Sequence, residues 1–297
     1  MLLLQALVLA LVQGLASILP VSASGHTEGV RYLAAWDPAG PGFELAVTLG
    51  TLAGVVLYFR GDLWFLLAGA LAIGRVEARD RARARRTVGL LALASVPGLL
   101  AGWWLDPPPA LAEVSPERLV AGALYATALA LLAGEWAHRR RRARELGRRP
   151  RELSRSERRE DGGRHEGTTT SLDAGAVGLL QALAVIPGLS RTAVTIAAGM
   201  GRGMSRSGAT RLSLLLAIPM LAGAAVAQYR RMGQETVATA PFGGLEMTVG
   251  AVVAAGAAYW ALRVLLRLVQ ADDLLGFARW VALLATLLLF ASFLVIG

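Results

Sequence analysis

The 297-residue chain contains no cysteine and no lysine. Without a thiol there is no disulfide and no thiolate chemistry, and cysteine usage carries no signal of compartment. All thirty basic residues are arginine, which reads as genome composition rather than as function. Charged residues are scarce, at 17% against 55% apolar ones, and there are three histidines, His26, His138 and His165. That balance excludes an ordinary soluble domain and gives an all-α polytopic membrane protein. The N-terminus is apolar from Leu2 to Leu11, with no basic stretch and no clear small-residue cleavage site, so a cleaved signal peptide is not expected. A net charge of +9 does not imply nucleic acid here, because the arginines gather in stretches between apolar segments. That distribution suits cytoplasmic loops facing anionic lipid.

Six apolar runs are long enough to cross a bilayer, at about 43–59, 88–105, 119–137, 209–228, 247–266 and 276–297. Two more, 1–25 and 172–200, are interrupted by Pro, Gly and Ser, and are expected to be broken or re-entrant helices. Such backbone survives at membrane depth only when buried in protein or lining a wet cavity. Residues 63–74 are too short to span and are expected at the interface, with Trp64 as an anchor. Arg75, Arg79, Arg81, Arg83, Arg85 and Arg86 read as one basic loop. Residues 139–159, with eleven Arg against three acids, read as another. Two spans separate these loops, so both fall on one side, the cytoplasmic one, and the Pro-rich loop from Asp106 to Arg118 falls on the other. Residues 139–171 lack apolar periodicity and read as a flexible basic linker. It would join a first membrane repeat, 1–138, to a second, 172–297.

The interruptions resemble one another. Gln13-Gly14-Leu15-Ala16-Ser17-Ile18-Leu19-Pro20 echoes Gln181-Ala182-Leu183-Ala184-Val185-Ile186-Pro187, with one residue of offset. Hydroxyls follow the proline in both, Ser22 and Ser24 in the first and Ser190 and Thr192 in the second. A helix restarting after Pro187-Gly188 presents unpaired N–H groups and the positive end of its dipole. Ser190 is placed to cap it, and Arg191 adds a fork-shaped cation, a combination that makes an anion site, most naturally for phosphate. An arginine in so apolar a setting marks a functional site by default. In the first break, His26 is a candidate nucleophile or general acid. Glu28 is a candidate to orient it, and Glu44 opens the next span, where a helix N-terminus favours an acid. Paired broken helices point to a midplane binding site. They fit equally an enzyme acting on a phosphorylated lipid and a transporter of an anionic substrate.

The stretches QGLASILPVSASGH at 13–26 and ALAVIPGLSRTAVTI at 182–196 resemble the undecaprenyl-diphosphatase family of bacitracin-resistance membrane phosphatases. Family members carry sequences like EGLTEFLPVSSTGH and ALALIPGTSRSGATI at these places. Further matching pieces are Phe43-Glu44-Leu45 leading to Leu49-Gly50-Thr51, and Arg211-Leu212-Ser213 leading to Ile218-Pro219. The resemblance implies six transmembrane helices plus two re-entrant hairpins in an inverted repeat, in the plasma membrane, with a site open to the extracytoplasmic side. It implies removal of the terminal phosphate of a polyprenyl diphosphate, which recycles the carrier lipid for cell-wall synthesis. By position, Ser22, Ser24, Ser190, Thr192 and Arg191 would hold the diphosphate, and His26 with Arg191 would act in the chemistry. The family's two motif glutamates fall at Gln13 and Ser17, neither of which ionises. A Mg²⁺ or Ca²⁺ cofactor would lose its natural ligands there, and water its obvious base. Gln13, Ser17, Glu28 and Glu44 are therefore auxiliary candidates, and no metal ligand is assigned. The leading expectation is a diphosphatase. The alternative is a non-hydrolytic member that flips a polyprenyl phosphate. The expected partners are that lipid and the membrane, with a homodimer left open.

Overall fold

A computed structural model describes residues 2–74, 77–104, 115–149, 152–154, 163–164, 166–232, 242–271 and 273–296. Among them the chain forms eleven α-helices and no strand. These are α1 (Leu2–Ile18), α2 (Ala23–Ala34), α3 (Pro41–Tyr58), α4 (Arg60–Leu71), α5 (Ala78–Trp104) and α6 (Pro116–Glu145), followed by α7 (Ser171–Ala182), α8 (Arg191–Gly201), α9 (Arg206–Met232), α10 (Gly244–Ala271) and α11 (Leu275–Ile296). Six of them, α3, α5, α6, α9, α10 and α11, are long and apolar enough to cross a membrane, and they are the six expected. At about 1.5 Å per residue, α4 reaches only about 18 Å, short of a core about 30 Å thick, and its Trp64 is exposed.

Both interrupted stretches are broken where Pro and Gly stand. The first breaks between Ile18 and Ala23, and the second between Ala182 and Arg191, with one short 3₁₀ turn at Leu183–Val185. No arm of either is longer than 17 residues. An arm of that length falls short of the hydrocarbon thickness.

The two basic stretches are not the loops expected. Arg79, Arg81, Arg83, Arg85 and Arg86 ride on the first turns of α5, and α6 continues to Glu145. Arginine is a good helix former; the first stretch holds no Pro or Gly, and in the second none stands before Gly147, where α6 has just ended. The expected linker boundary at 138 thus falls inside α6. The linker's far end is also tied down. The Arg164 N–H donates to Gly203 O, its carbonyl accepts from the Ser205 N–H, and its guanidinium reaches Asp173 Oδ2 at 2.7 Å. Asp173 closes a capping box with Thr170 at the start of α7 and takes Arg202 on its other oxygen. Burial would raise the pKa of this carboxyl, but Arg164, Thr170 and Arg202 outweigh it and hold the group well below the usual carboxylate range. Arg75, His165 and most of the Pro-rich loop lie outside the described residues.

The bundle has an Arg-rich end, where α5 begins, α6 ends and α9 begins. Near it lies a buried ion pair. Arg206 Nε and Nη2 donate to the two Glu135 oxygens at 2.7 and 2.8 Å, and Leu274 N donates to Glu135 Oε1 at 3.0 Å. One bidentate pair thereby fastens α6, α9 and the start of α11. The opposite end gathers the starts of α3 and α10 and the end of α9.

Packing crosses between the first and second halves of the chain. α1 lies along α10 and α7 along α5, while α3 packs on α9 and α10, and α6 on α11. In both crossings a glycine permits the approach. A Cβ on Gly14 would stand 2.6 Å from Ala254 O, and one on Gly178 would stand 2.6 Å from Ala94 O. Each broken segment is therefore seated on a span from the other half.

Candidate functional site

The two breaks meet. Ser24 Oγ accepts from the Gly188 N–H at 2.9 Å, while Arg191 Nη2 and Thr192 Oγ1 both donate to Ser17 O at 3.4 Å. The first turn of α2 thus lies against the second break and the first turn of α8 against the end of α1, each helix beginning at the junction with the positive end of its dipole.

Local sequence dictates this. Ser22 caps α2, accepting from the Gly25 N–H at 3.1 Å, and Ser190 caps α8, accepting from the Ala193 N–H at 3.2 Å. Both breaks carry a left-handed residue, Ser22 at φ 77° and Gly188 at φ 91°. Glycine adopts that conformation freely; a serine held there stores strain, about 1–3 kcal/mol. A side chain at Gly188 would also meet Val120 O at 2.8 Å. Thr127 of α6, fully buried, anchors the second break, its hydroxyl accepting from the Ser190 N–H at 2.9 Å.

The hydroxyls are not equivalent. Those of Ser22 and Ser190 are committed to caps, and that of Thr192 to Ser17 O. Ser24 is exposed, accepts from the Gly188 N–H and lies 3.5 Å from Ser22 Oγ, so of the four hydroxyls it is the one that a ligand can reach. His26 is held at both ring nitrogens. Nδ1 lies 2.8 Å from Ser22 O, and Nε2 lies 2.9 Å from Trp280 Nε1. A carbonyl only accepts and an indole N–H only donates, so the ring is neutral, protonated at Nδ1 with a lone pair at Nε2. Glu28, expected to orient His26, instead bridges Arg31 at 2.7 Å. Ser22 and Trp280 do the orienting, and the Trp280 partner, 254 positions away, has no signal in the sequence.

Two cavities flank the first break. One, about 200 Å³, opens among Gln13, Ser24, Glu28, Glu44 and Gln228, towards the end where α3 starts. The other, about 1060 Å³, is walled by Val12, Leu19, His26, Leu275, Phe277 and Trp280 and reaches Arg139 and Arg279 at the Arg-rich end. Gln13, Ser24, Glu28 and Glu44 therefore come together, whereas His26 faces the other way, and Arg191 stays packed on the Ser17 carbonyl. Among the described residues no group of three or more His, Asp or Glu is placed to hold a metal. Two carboxylates in the small cavity, one of them bound to Arg31, make a poor set for a hard cation.

A helical bundle with six candidate spans and two broken helices that meet at one junction defines a multi-pass membrane protein. The chain belongs to the bacitracin resistance protein BacA family, whose model matches residues 6–287. It is 34% identical over 290 residues to an undecaprenyl-diphosphatase of Alcanivorax borkumensis, covering 96% of this chain and 97% of that protein. It is 32% identical over 288 residues to one of Moorella thermoacetica, covering 96% of each. A third, from Chlorobaculum parvum, is 36% identical over 229 residues, 75% of this chain and 74% of the relative.

Proposed function

We propose that the protein is a membrane phosphatase of undecaprenyl or a similar polyprenyl diphosphate, releasing inorganic phosphate and the monophosphate carrier lipid. The observation that carries this reading is the Ser24–Gly188 contact, which joins two positive helix ends beside Arg191. Family membership supplies the substrate class: the relatives named above are undecaprenyl-diphosphatases. In this reading the chain is two membrane repeats of inverted orientation in the plasma membrane. The broken segments are re-entrant, and the small cavity faces the extracytoplasmic side.

The diphosphate enters by that cavity, past Gln13, Glu28 and Glu44, and meets Ser24 first. Ser22, Ser190 and Thr192 shape the two helix starts whose N–H groups face its oxygens. Arg191 exchanges the Ser17 carbonyl for phosphate, a stronger charge-assisted acceptor. Water attacks the terminal phosphorus, the bond to the bridging oxygen breaks, and the electron pair leaves with the lipid monophosphate. The terminal phosphate reaches past the first turn of α2 to the side that His26 lines, where the imidazole takes the proton of the attacking water at Nε2 once the Trp280 N–H gives way, the Nδ1–H on Ser22 O holding the ring in the required tautomer. Glu44 supports it from the other side of the helix pair. Gln13 and Ser17, which cannot ionise, leave the base to these groups.

Phosphate release by the purified protein from a polyprenyl diphosphate, with and without Mg²⁺ or Ca²⁺, tests the reading. Release that disappears in His26→Ala and Arg191→Ala supports it. No release by the parent protein under any of these conditions, with lipid binding indifferent to Arg191→Ala, sinks it.

A further inference from the structure

The large chamber is not needed to bring a headgroup to the junction from the extracytoplasmic side, yet it ends on the same first turn of α2. Ser24 lines one cavity and His26, two residues on, lines the other. Along α1 the division repeats: Leu9 and Gln13 face the small cavity, and Val12, Leu15 and Leu19 the large one. The α1–α2 hairpin is thus a partition one helix thick between cavities that reach opposite ends of the bundle.

The chamber's lining matches a phosphorylated prenyl lipid. Val12, Leu15, Leu19, Leu275 and Phe277 form an apolar wall, and its rim carries Arg139 and Arg279. Arg139 is paired with Asp273 at 2.7 Å, whereas no hydrogen bond or ion pair engages the exposed Arg279 among the described residues. A cation at the rim of an apolar chamber of about 1060 Å³ complements an amphiphile with one anionic head.

We infer that the chamber is a second site for the prenyl monophosphate, and that the headgroup crosses the α1–α2 partition between the two cavities, so that the protein also moves this lipid between leaflets. The inference rests on the prenyl-phosphate reading of the ligand but not on hydrolysis, since the monophosphate carries no anhydride to cleave.

The test uses proteoliposomes of the full chain containing polyprenyl monophosphate, with a soluble phosphatase added outside. Without crossing, the external enzyme consumes only the outer-leaflet share; with crossing, it consumes the whole pool. Gly276 lines the chamber, and a Cβ there meets open space within 4 Å, so Gly276→Trp adds an indole at the chamber wall. That variant is expected to slow consumption of the inner share at least about tenfold. Arg279→Glu, which leaves the apolar wall intact, is expected to slow it as well, with phosphate release from the diphosphate at the parent level. Consumption that stops at the outer share with the parent protein, or that is unchanged in both variants, overturns the inference. Loss of diphosphate cleavage with crossing intact overturns the phosphatase reading instead.

Discussion

The Ser24 hydroxyl accepts a hydrogen bond from the Gly188 N–H at 2.9 Å, across 164 positions of sequence. One side chain of the first break thereby sets the distance between two helix N-termini. Gly188 holds a φ of 91° with Val120 O where a Cβ would be. Gly188→Ala is expected to cost about 2–4 kcal/mol, from left-handed strain and overpacking together. It should also lower phosphate release more than binding of the protein to lipid vesicles. Thermal unfolding in detergent beside an activity assay checks both.

Arg191 is the fork-shaped cation at the junction. Arg191→Ala should reduce kcat/KM for a polyprenyl diphosphate by at least about a hundredfold, the scale of one lost charge-assisted contact in a low-dielectric site. Arg191→Lys, which keeps the charge and loses the fork, should recover only part of it. Parent-level activity in Arg191→Lys would show that the fork geometry plays no role there.

Trp280 masks the His26 lone pair. Trp280→Phe should raise kcat by up to about fivefold, because a hydrogen bond worth about 1 kcal/mol no longer has to be broken before catalysis. The ring keeps its orientation through Ser22 O. His26→Ala should lower kcat by about a hundredfold or more and Glu44→Gln by less than about tenfold, if the imidazole is the base. The reverse order would transfer that role to Glu44.

Glu135 and Arg206 are each almost wholly inaccessible, at 1% and 0%. Glu135→Ala should cost about 3–5 kcal/mol by leaving a buried guanidinium without its counter-ion. Replacing both with apolar residues of similar size should recover most of that loss. Melting temperatures of the single and double variants give the answer directly.

Much of this was legible in advance, for identifiable reasons. The six spans follow from apolar runs that nothing else in the chain competes with, and the breaks from Pro20 and Pro187-Gly188. Ser190 as a cap is a local property, set three residues from its donor. Contacts built from distant pieces were not legible. Thr127 on the Ser190 N–H, Trp280 on His26 and Arg206 on Glu135 each depend on how helices pack. Thr127 left one faint trace, a hydroxyl inside an otherwise apolar span, where such groups bond across helices. The arginines at 79–86 and 139–145 misled because charge was read as loop. A helix that runs past the apolar layer has no reason to unwind there.

The seating of α1 on α10 through Gly14 and Ala254 bears on how the protein is made. α1 is made well before α10, and its glycine face waits for that helix to be covered. Until residue 254 has been synthesised, the early segment has no permanent neighbour along that face. Neither half is then a complete module during biogenesis, because the Gly14 face of the first is covered only by a span of the second.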